Sequence, residues 1–423
     1  MLFPFCAFCA FSWLKLKQTT KAIRGTFPFG AAPLLHFNSA VKSPLLLVAL
    51  LALPSLAHAQ KFDKGTRVGG VSIAGLDQVA AIRRVKRELA PRLERKVALV
   101  SGSKVAFRKR RDLGFSLDVG QMLAHAKTKK QSPIFFRVNP AQASKALTRV
   151  AHSLSTSPRD ARPIYFKHRV FIRPEVVGKH LNVSTSSARL RILGEKNPTQ
   201  TRFSLAETAI KPKVTRANLK GINAVLATFT TSFNPDKFKR TLNMRVALKH
   251  IDGKIVPPNG VFSLNQTVGE RTQARGFRTA IIFENGKKAP GIGGGVSQVT
   301  GTLFNAALVA GLPIVTYQTH SRPVTYLPIG RDATVAWGGF DNKWKNDSGA
   351  PIYISYKLKG DHLTATLFGH RTGRTVKLSV SAKRQGPRDI KANLYRVIFV
   401  NGKPQKREKV GESHYEWKQD NPD

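Results

Sequence analysis

Apolar positions recur along this chain with two periods, and their alternation predicts most of its elements. Steps of three and four mark helices. Val79, Ile82, Val85 and Leu89 share one face, residues 141–154 and 185–193 repeat the pattern, and Phe238, Leu242, Val246 and Leu248 carry it through 237–252. Short apolar runs bounded by Gly, Pro or Asn predict strands at 70–76, 97–100, 113–118, 163–166, 170–173, 229–233, 261–263, 280–284, 351–358 and 362–369. Asn285-Gly286 and Asn401-Gly402 are turn pairs. Short strands interleaved with short helices indicate an α+β fold.

One stretch breaks both periods. Gly291-Ile292-Gly293-Gly294-Gly295 runs directly into Val296-Ser297-Gln298-Val299-Thr300, after which Val296, Val299, Leu303, Ala307 and Ala310 continue at helical steps. Glycines here let the backbone take positive φ and approach a ligand closely. The helix start aims unpaired N–H groups and the positive end of its dipole at whatever lies in front. Ser297 sits at that junction as a nucleophile, a binding group or a helix cap.

Residues 60–130 and 131–225 read as two copies of a small α+β module. Residues 226–370 form a mixed α/β unit around the glycine run, and 371–423 a short β-rich tail whose last residues are polar and loose. Ahead of them, 1–59 is a presegment and signal peptide. Lys42 precedes the apolar run 44–56, and Ala57-His58-Ala59 offers a small-x-small cleavage site. Residues 1–41 are unusual before a signal, and the true start is expected at Val41. The chain after residue 59 holds no cysteine, since Cys6 and Cys9 are the only two. That excludes disulfides, a thiol nucleophile and thiolate metal ligands.

Charge changes the picture of the surroundings. Lys and Arg number 70 against 24 acids, giving +46, and +41 once the five basic residues of 1–59 are removed. Such a field favours polyanionic partners. The basic residues are spread along the chain, with no zinc-finger spacing and no aromatic RNA-binding strand, so no specific nucleic acid is expected. Membrane contact is expected only through an uncleaved signal segment.

The 226–370 unit resembles the VanW family. Six stretches carry the resemblance: 258–263 (PNGVFS), 268–272 (VGERT), 293–299 (GGGVSQV), 302–308 (TLFNAAL), 320–324 (HSRPV) and 330–335 (GRDATV). The two upstream copies resemble, more loosely, the peptidoglycan-binding modules that precede this unit in exported members. The resemblance implies an extracytoplasmic cell-envelope protein that binds or remodels peptidoglycan. Some members are linked to cysteine-dependent L,D-transpeptidase activity, and in them the glycine run ends in Cys-Gln. Ser297 occupies that position here, which implies that acyl transfer is weakened or lost.

The chemical reading takes Ser297 as nucleophile, His320 as base and Asp332 as the group orienting it, with helix N–H groups stabilising an oxyanion. Against it, serine is among the best N-caps. Asp332 equally suits a salt bridge with Arg331 or Arg271. Gly293, Gly294, Gly295 and Gln298 are expected to line the site. Arg271, Arg322 and Arg331 are the cations expected to meet a stem-peptide carboxylate. No cofactor or metal is expected: Asp341, Asn342 and Asn346 are a turn composition. Expected partners are peptidoglycan or its stem peptides and anionic wall polymers. Three functions stay open: wall binding with a weakened site, an active serine-dependent L,D-transpeptidase or hydrolase, and a basic scaffold for anionic polymer.

Overall fold

The computed structural model describes residues 60–284 and 287–418. The presegment and signal at 1–59, the turn at 285–286 and the last residues 419–423 lie outside them. The fold is α+β, with short helices distributed among small sheets.

In the N-terminal half, four helices start the same way. Asp77, Asp118, Asn139 and Asn182 each accept a hydrogen bond from the third helical N–H of Gln78–Glu94, Val119–Lys129, Pro140–Leu154 and Val183–Lys196. Each cap satisfies a donor that the helix itself cannot. Two cores lie beneath them. Phe62, Val68, Ile73, Val85, Leu89 and Met122 build the first. The second joins Val97, Leu99, Leu113 and Phe115 to Val138, Leu147, Val150, Leu190 and Phe203. Strand Arg202–Ser204 runs parallel to Lys96–Ser101 with Phe203 opposite Leu99. The 96–109 hairpin therefore closes into the core formed by residues 113–205.

The C-terminal half is built on an antiparallel sheet in the order Ala224–Ser232, His362–Gly369, Ile352–Lys359 and Ile255–Val256. Helix Val296–Val309 packs on this sheet and is buried almost all round. Its polar side chains are satisfied locally, because Thr300, Thr302 and Asn305 each donate to the carbonyl four residues back. Small residues let neighbours close in: a Cβ on Gly301 would meet Leu327 Cδ1 at 2.6 Å. The second helix of this half, Phe238–Ile251, buries Met244, Ala247 and Ile251. Phe238, which the spacing places on the apolar face, is instead 70% exposed beside the cleft.

The tail is a three-stranded antiparallel sheet, Arg374–Gly386, Asp389–Val400 and Lys403–Glu416. Val376 faces Ile398, and Asn401-Gly402, both at positive φ, turns the second strand into the third. Leu394 packs on Phe304 and Leu308 of the central helix. Buried Arg396 donates to the Leu312 carbonyl at 2.7 Å and pairs with Glu408. Residues up to 416 are thus fastened to the site-bearing unit. Among the described residues, no helix is long and apolar enough to cross a membrane.

Candidate functional site

The hairpin Thr279–Glu284 and Lys287–Ile292 delivers the glycine run to the central helix. Gly293 and Gly295 have φ of 89° and 106°, and a Cβ on Gly294 would lie 2.5 Å from the Ile281 carbonyl oxygen. These positions need glycine for backbone conformation and close approach. Gly295 is the N-cap and gives no side-chain bond. Ser297 is the second helical residue, so it does not cap the helix. Its Oγ instead shares a hydrogen bond with Thr334 Oγ1 at 3.2 Å.

Gln298 is almost wholly buried and committed to the protein. Its amide donates to Thr231 Oγ1 and the Ser232 carbonyl, and its oxygen accepts from Arg240 Nη2 at 2.7 Å. It ties the helix start to the end of strand 224–232, and Arg240 brings a cation to the cleft wall. Burial lowers the Arg240 pKa.

His320 and Asp332 form a buried pair. Asp332 Oδ2 accepts from the His320 backbone N–H at 2.8 Å and meets its Nδ1 at 2.7 Å. A carboxylate on Nδ1 selects the tautomer that leaves Nε2 as the acceptor. Asp332 Oδ1 accepts from Tyr415 Oη at 2.5 Å, and Tyr415 Oη accepts from the Gly330 N–H at 2.6 Å. Both carboxylate oxygens are therefore fixed. Neither Arg271 nor Arg331 bridges to Asp332. The Phe283 ring stands edge-on to His320 at 5.6 Å and beneath the Arg322 guanidinium at 5.3 Å.

Ser297 and the pair come together through Thr334. That residue lies two positions after Asp332, and its N–H donates to the Gln318 carbonyl, two positions before His320. Among the described residues no hydrogen bond joins Ser297 to His320. All of these groups except Asp332 line one cleft of about 1850 Å³, with Gly293, Gly294, Gly295, Arg271, Arg322 and Tyr326. Arg271 donates to the Gly269 carbonyl, while its buried Nη2 has no partner among the described residues. Burial holds its pKa down at about 10; Asp341 opposes this and Arg275 adds to it. Arg331 does not reach the cleft. It donates to Asn305 Oδ1 and lies over the Phe229 ring. Asp341 and Asn346 lock turns: Asp341 accepts from Ser263 and from the Asn265 N–H, and Asn346 bonds the Val256, Pro257 and Ala350 carbonyls. Among the described residues no cluster of three metal-ligating side chains occurs.

Residues 239–368 match the family described as VanW like protein. These residues form a VanW-like domain. It is 42% identical over 168 residues to the uncharacterized protein YoaR of Bacillus subtilis (strain 168), covering 40% of this chain and 55% of that one. It is 25% identical over 137 residues to the vancomycin B-type resistance protein VanW of Enterococcus faecalis (strain ATCC 700802 / V583), covering 31% and 50%. The chain thus spans about half the length of these relatives. No solved structure matches it.

The VanW match contains Ser297, His320, Thr334 and Asp332 but ends before Tyr415. Sequence reasoning missed Tyr415, Arg240, Tyr326 and Thr334 as site residues. Thr334 lies inside the 330–335 stretch, where nothing marks its hydroxyl as a partner of Ser297. The signal for Tyr415 is weak, one aromatic in the polar run Ser413-His414-Tyr415-Glu416. Nothing in the sequence separates Arg240 from the other cations of its helix.

Proposed function

We propose that this protein is an exported cell-envelope protein of the VanW family that binds peptidoglycan stem peptides in the 1850 Å³ cleft. The observation that carries the reading is Arg271. A guanidinium whose buried Nη2 lacks a partner among the described residues, beside a glycine-rich helix start, suits a peptide carboxylate. Lys237, Arg240 and Arg322 line the same cleft and give it a cationic wall. The two upstream copies would hold the wall polymer while the cleft takes the peptide. The vancomycin-resistance name of one relative is consistent with an envelope role.

The test is titration of the purified chain with muropeptides carrying a free or an amidated stem C-terminus. Arg271→Met should weaken binding of the free acid by about ten-fold or more and leave the amide unaffected. Equal affinity for acid and amide removes the carboxylate reading. Binding to insoluble wall that vanishes by about 0.5 M salt would leave only a scaffold for anionic polymer.

The His320–Asp332 pair favours a second reading, acyl transfer. Ser297 Oγ would attack a stem-peptide carbonyl, with its proton passing to His320 Nε2 and on to the departing amine, and water or a second amine would resolve the ester. This requires Ser297 to leave Thr334. Mass spectrometry of the protein incubated with muropeptides decides: an acyl adduct absent from Ser297→Ala and His320→Ala supports transfer, and no adduct in wild type leaves binding.

A further inference from the structure

We propose that the hairpin Arg162–Phe166 and Arg169–Arg173 is a surface anchor that sets its apolar tip into an anionic lipid bilayer. Phe171 pairs with Ile164, Val170 with Tyr165, and Arg169 with Phe166. The two strands form a sheet of their own, with no third strand on either edge among the described residues. One face is anchored: Pro163 is buried, and Val170 and Ile172 pack on Ala161, Val214, Leu219 and Phe368. The remaining apolar side chains are not. Tyr165, Phe166 and Phe171 are 53%, 59% and 52% exposed, and Ile164 is 39% exposed. Four large exposed apolar side chains on one hairpin exceed the scattered exposure of an ordinary surface.

The turn is equally specific. Lys167 and His168 both adopt left-handed backbone, with φ of 45° and 62°. Glycine or asparagine is preferred at such positions, so this turn keeps a cation and an imidazole at its apex despite some strain. The stretch reads Arg-Pro-Ile-Tyr-Phe-Lys-His-Arg-Val-Phe-Ile-Arg, without a carboxylate, an amide or an aliphatic hydroxyl. The flanking acids are engaged elsewhere: Asp160 accepts from the Lys213 and Val214 N–H groups, and Glu175 from the Arg216 N–H.

This chemistry selects the partner. Gripping a glycan needs acceptors for its hydroxyls, and the side chains here offer almost none. Exposed Ile164 beside the aromatics suits acyl chains better than stacked bases. Lys167 and Arg169 suit lipid phosphates, while an amphipathic ring such as Tyr165 sits well at the headgroup boundary. The net charge of +46 draws the whole chain toward such a surface.

The experiment separates insertion from the general basic field. Wild type and Phe166→Ser/Phe171→Ser, which keeps every charge, are sedimented with phosphatidylglycerol–phosphatidylcholine vesicles at about 0.1 M and 0.5 M salt. Both should bind at low salt. At high salt the double variant should partition about ten-fold less than wild type, and Phe166→Leu/Phe171→Leu should restore binding. Equal sedimentation of wild type and the serine variant at high salt overturns the proposal. A fluorophore on Phe166→Cys, with Cys6 and Cys9 replaced by serine, reports depth. Its emission should shift blue and be quenched by nitroxides placed high on the acyl chains, while a label on exposed Arg83→Cys should not respond. A blue shift produced by RNA or soluble glycan fragments in place of vesicles would also refute it. Unchanged thermal melting of the variants, expected for exposed positions, keeps a folding defect out of the comparison.

Discussion

Replacing Tyr415 by Phe removes one oxygen from a fully buried ring and nothing else, so its effect can be worked from the structure. That oxygen donates to Asp332 Oδ1 and accepts from the Gly330 N–H. Burial first, and then Asp332, pushes the Tyr415 pKa well above the usual phenol range, so the group stays a donor at any working pH. Without it, a buried N–H and one buried carboxylate oxygen lose their partners. A bond to a charged acceptor contributes about 2 kcal/mol and an orphaned N–H costs about 1 kcal/mol, so the variant should lose roughly 3 kcal/mol. For a protein stable by about 5–15 kcal/mol this is a large fraction. Urea unfolding followed by tryptophan fluorescence, with Trp344 buried in this unit, should show a midpoint lower by about 1 M. The His320 Nδ1–H resonance should move as Asp332 loses one of its restraints. A loss below about 0.5 kcal/mol with an unmoved resonance would refute the reasoning, because the tail would then cover the site without holding it.

Other perturbations have equally definite outcomes. Gly294→Ala drives a Cβ to 2.5 Å from the Ile281 carbonyl; it should cost about 2 kcal/mol or more, read as a lower melting temperature. Gln298→Leu keeps the volume but strips Arg240, Thr231 and Ser232 of a buried partner, for about 2–4 kcal/mol by denaturant titration. Ser297→Ala loses only the Thr334 bond and should change stability by less than about 1 kcal/mol, so any larger effect on muropeptide chemistry belongs to the site. For Asp118, burial raises the pKa, but the Gln121 N–H and Arg137 bonds outweigh it, and the net shift is downward. A depressed carboxyl stabilises the fold above its unfolded value of about 3.9 and loses that contribution as pH falls through the folded value. Asp118→Ala should therefore be less stable by about 1–2 kcal/mol at neutral pH and converge with wild type in acid, checked by melts across the pH range.

The periodic parts of this fold were legible before the structure. Helices 78–94 and 140–154 carry clean apolar faces with an Asp or Asn in front, and both formed. The glycine run was legible because glycine has few reasons to cluster except conformation. Less legible was anything decided by pairing distant segments. Nothing in Lys96–Ser101 names Arg202–Ser204 as its parallel neighbour. Phe238 fits a helical stripe by spacing yet lies exposed beside the cleft, because the face at 244, 247 and 251 already fills the core contact. Arg331 and Arg271 look alike in sequence. Asn305 holds Arg331 away from the cleft, while Arg271, tied to the Gly269 carbonyl, lines it.

What the site can do turns on two hydroxyls. Asp332 has no freedom left: the His320 N–H and Nδ1 hold one oxygen and Tyr415 holds the other. The imidazole is fixed with Nε2 as its acceptor, which is the state a general base requires. Ser297 Oγ, however, is bonded to Thr334, a neutral hydroxyl that cannot take its proton. A serine at its ordinary pKa is inert without a base, whereas a thiol in the same place would be partly ionised on its own. In the proposed reading a carboxylate drawn to Arg271 would place a peptide across the helix start, so the same cleft would serve binding whether or not the hydroxyl swings to His320. Binding therefore asks nothing of this site that the resting arrangement lacks, and transfer asks for one bond to break. That difference is why Ser297→Ala separates the two readings while Arg271→Met tests what they share.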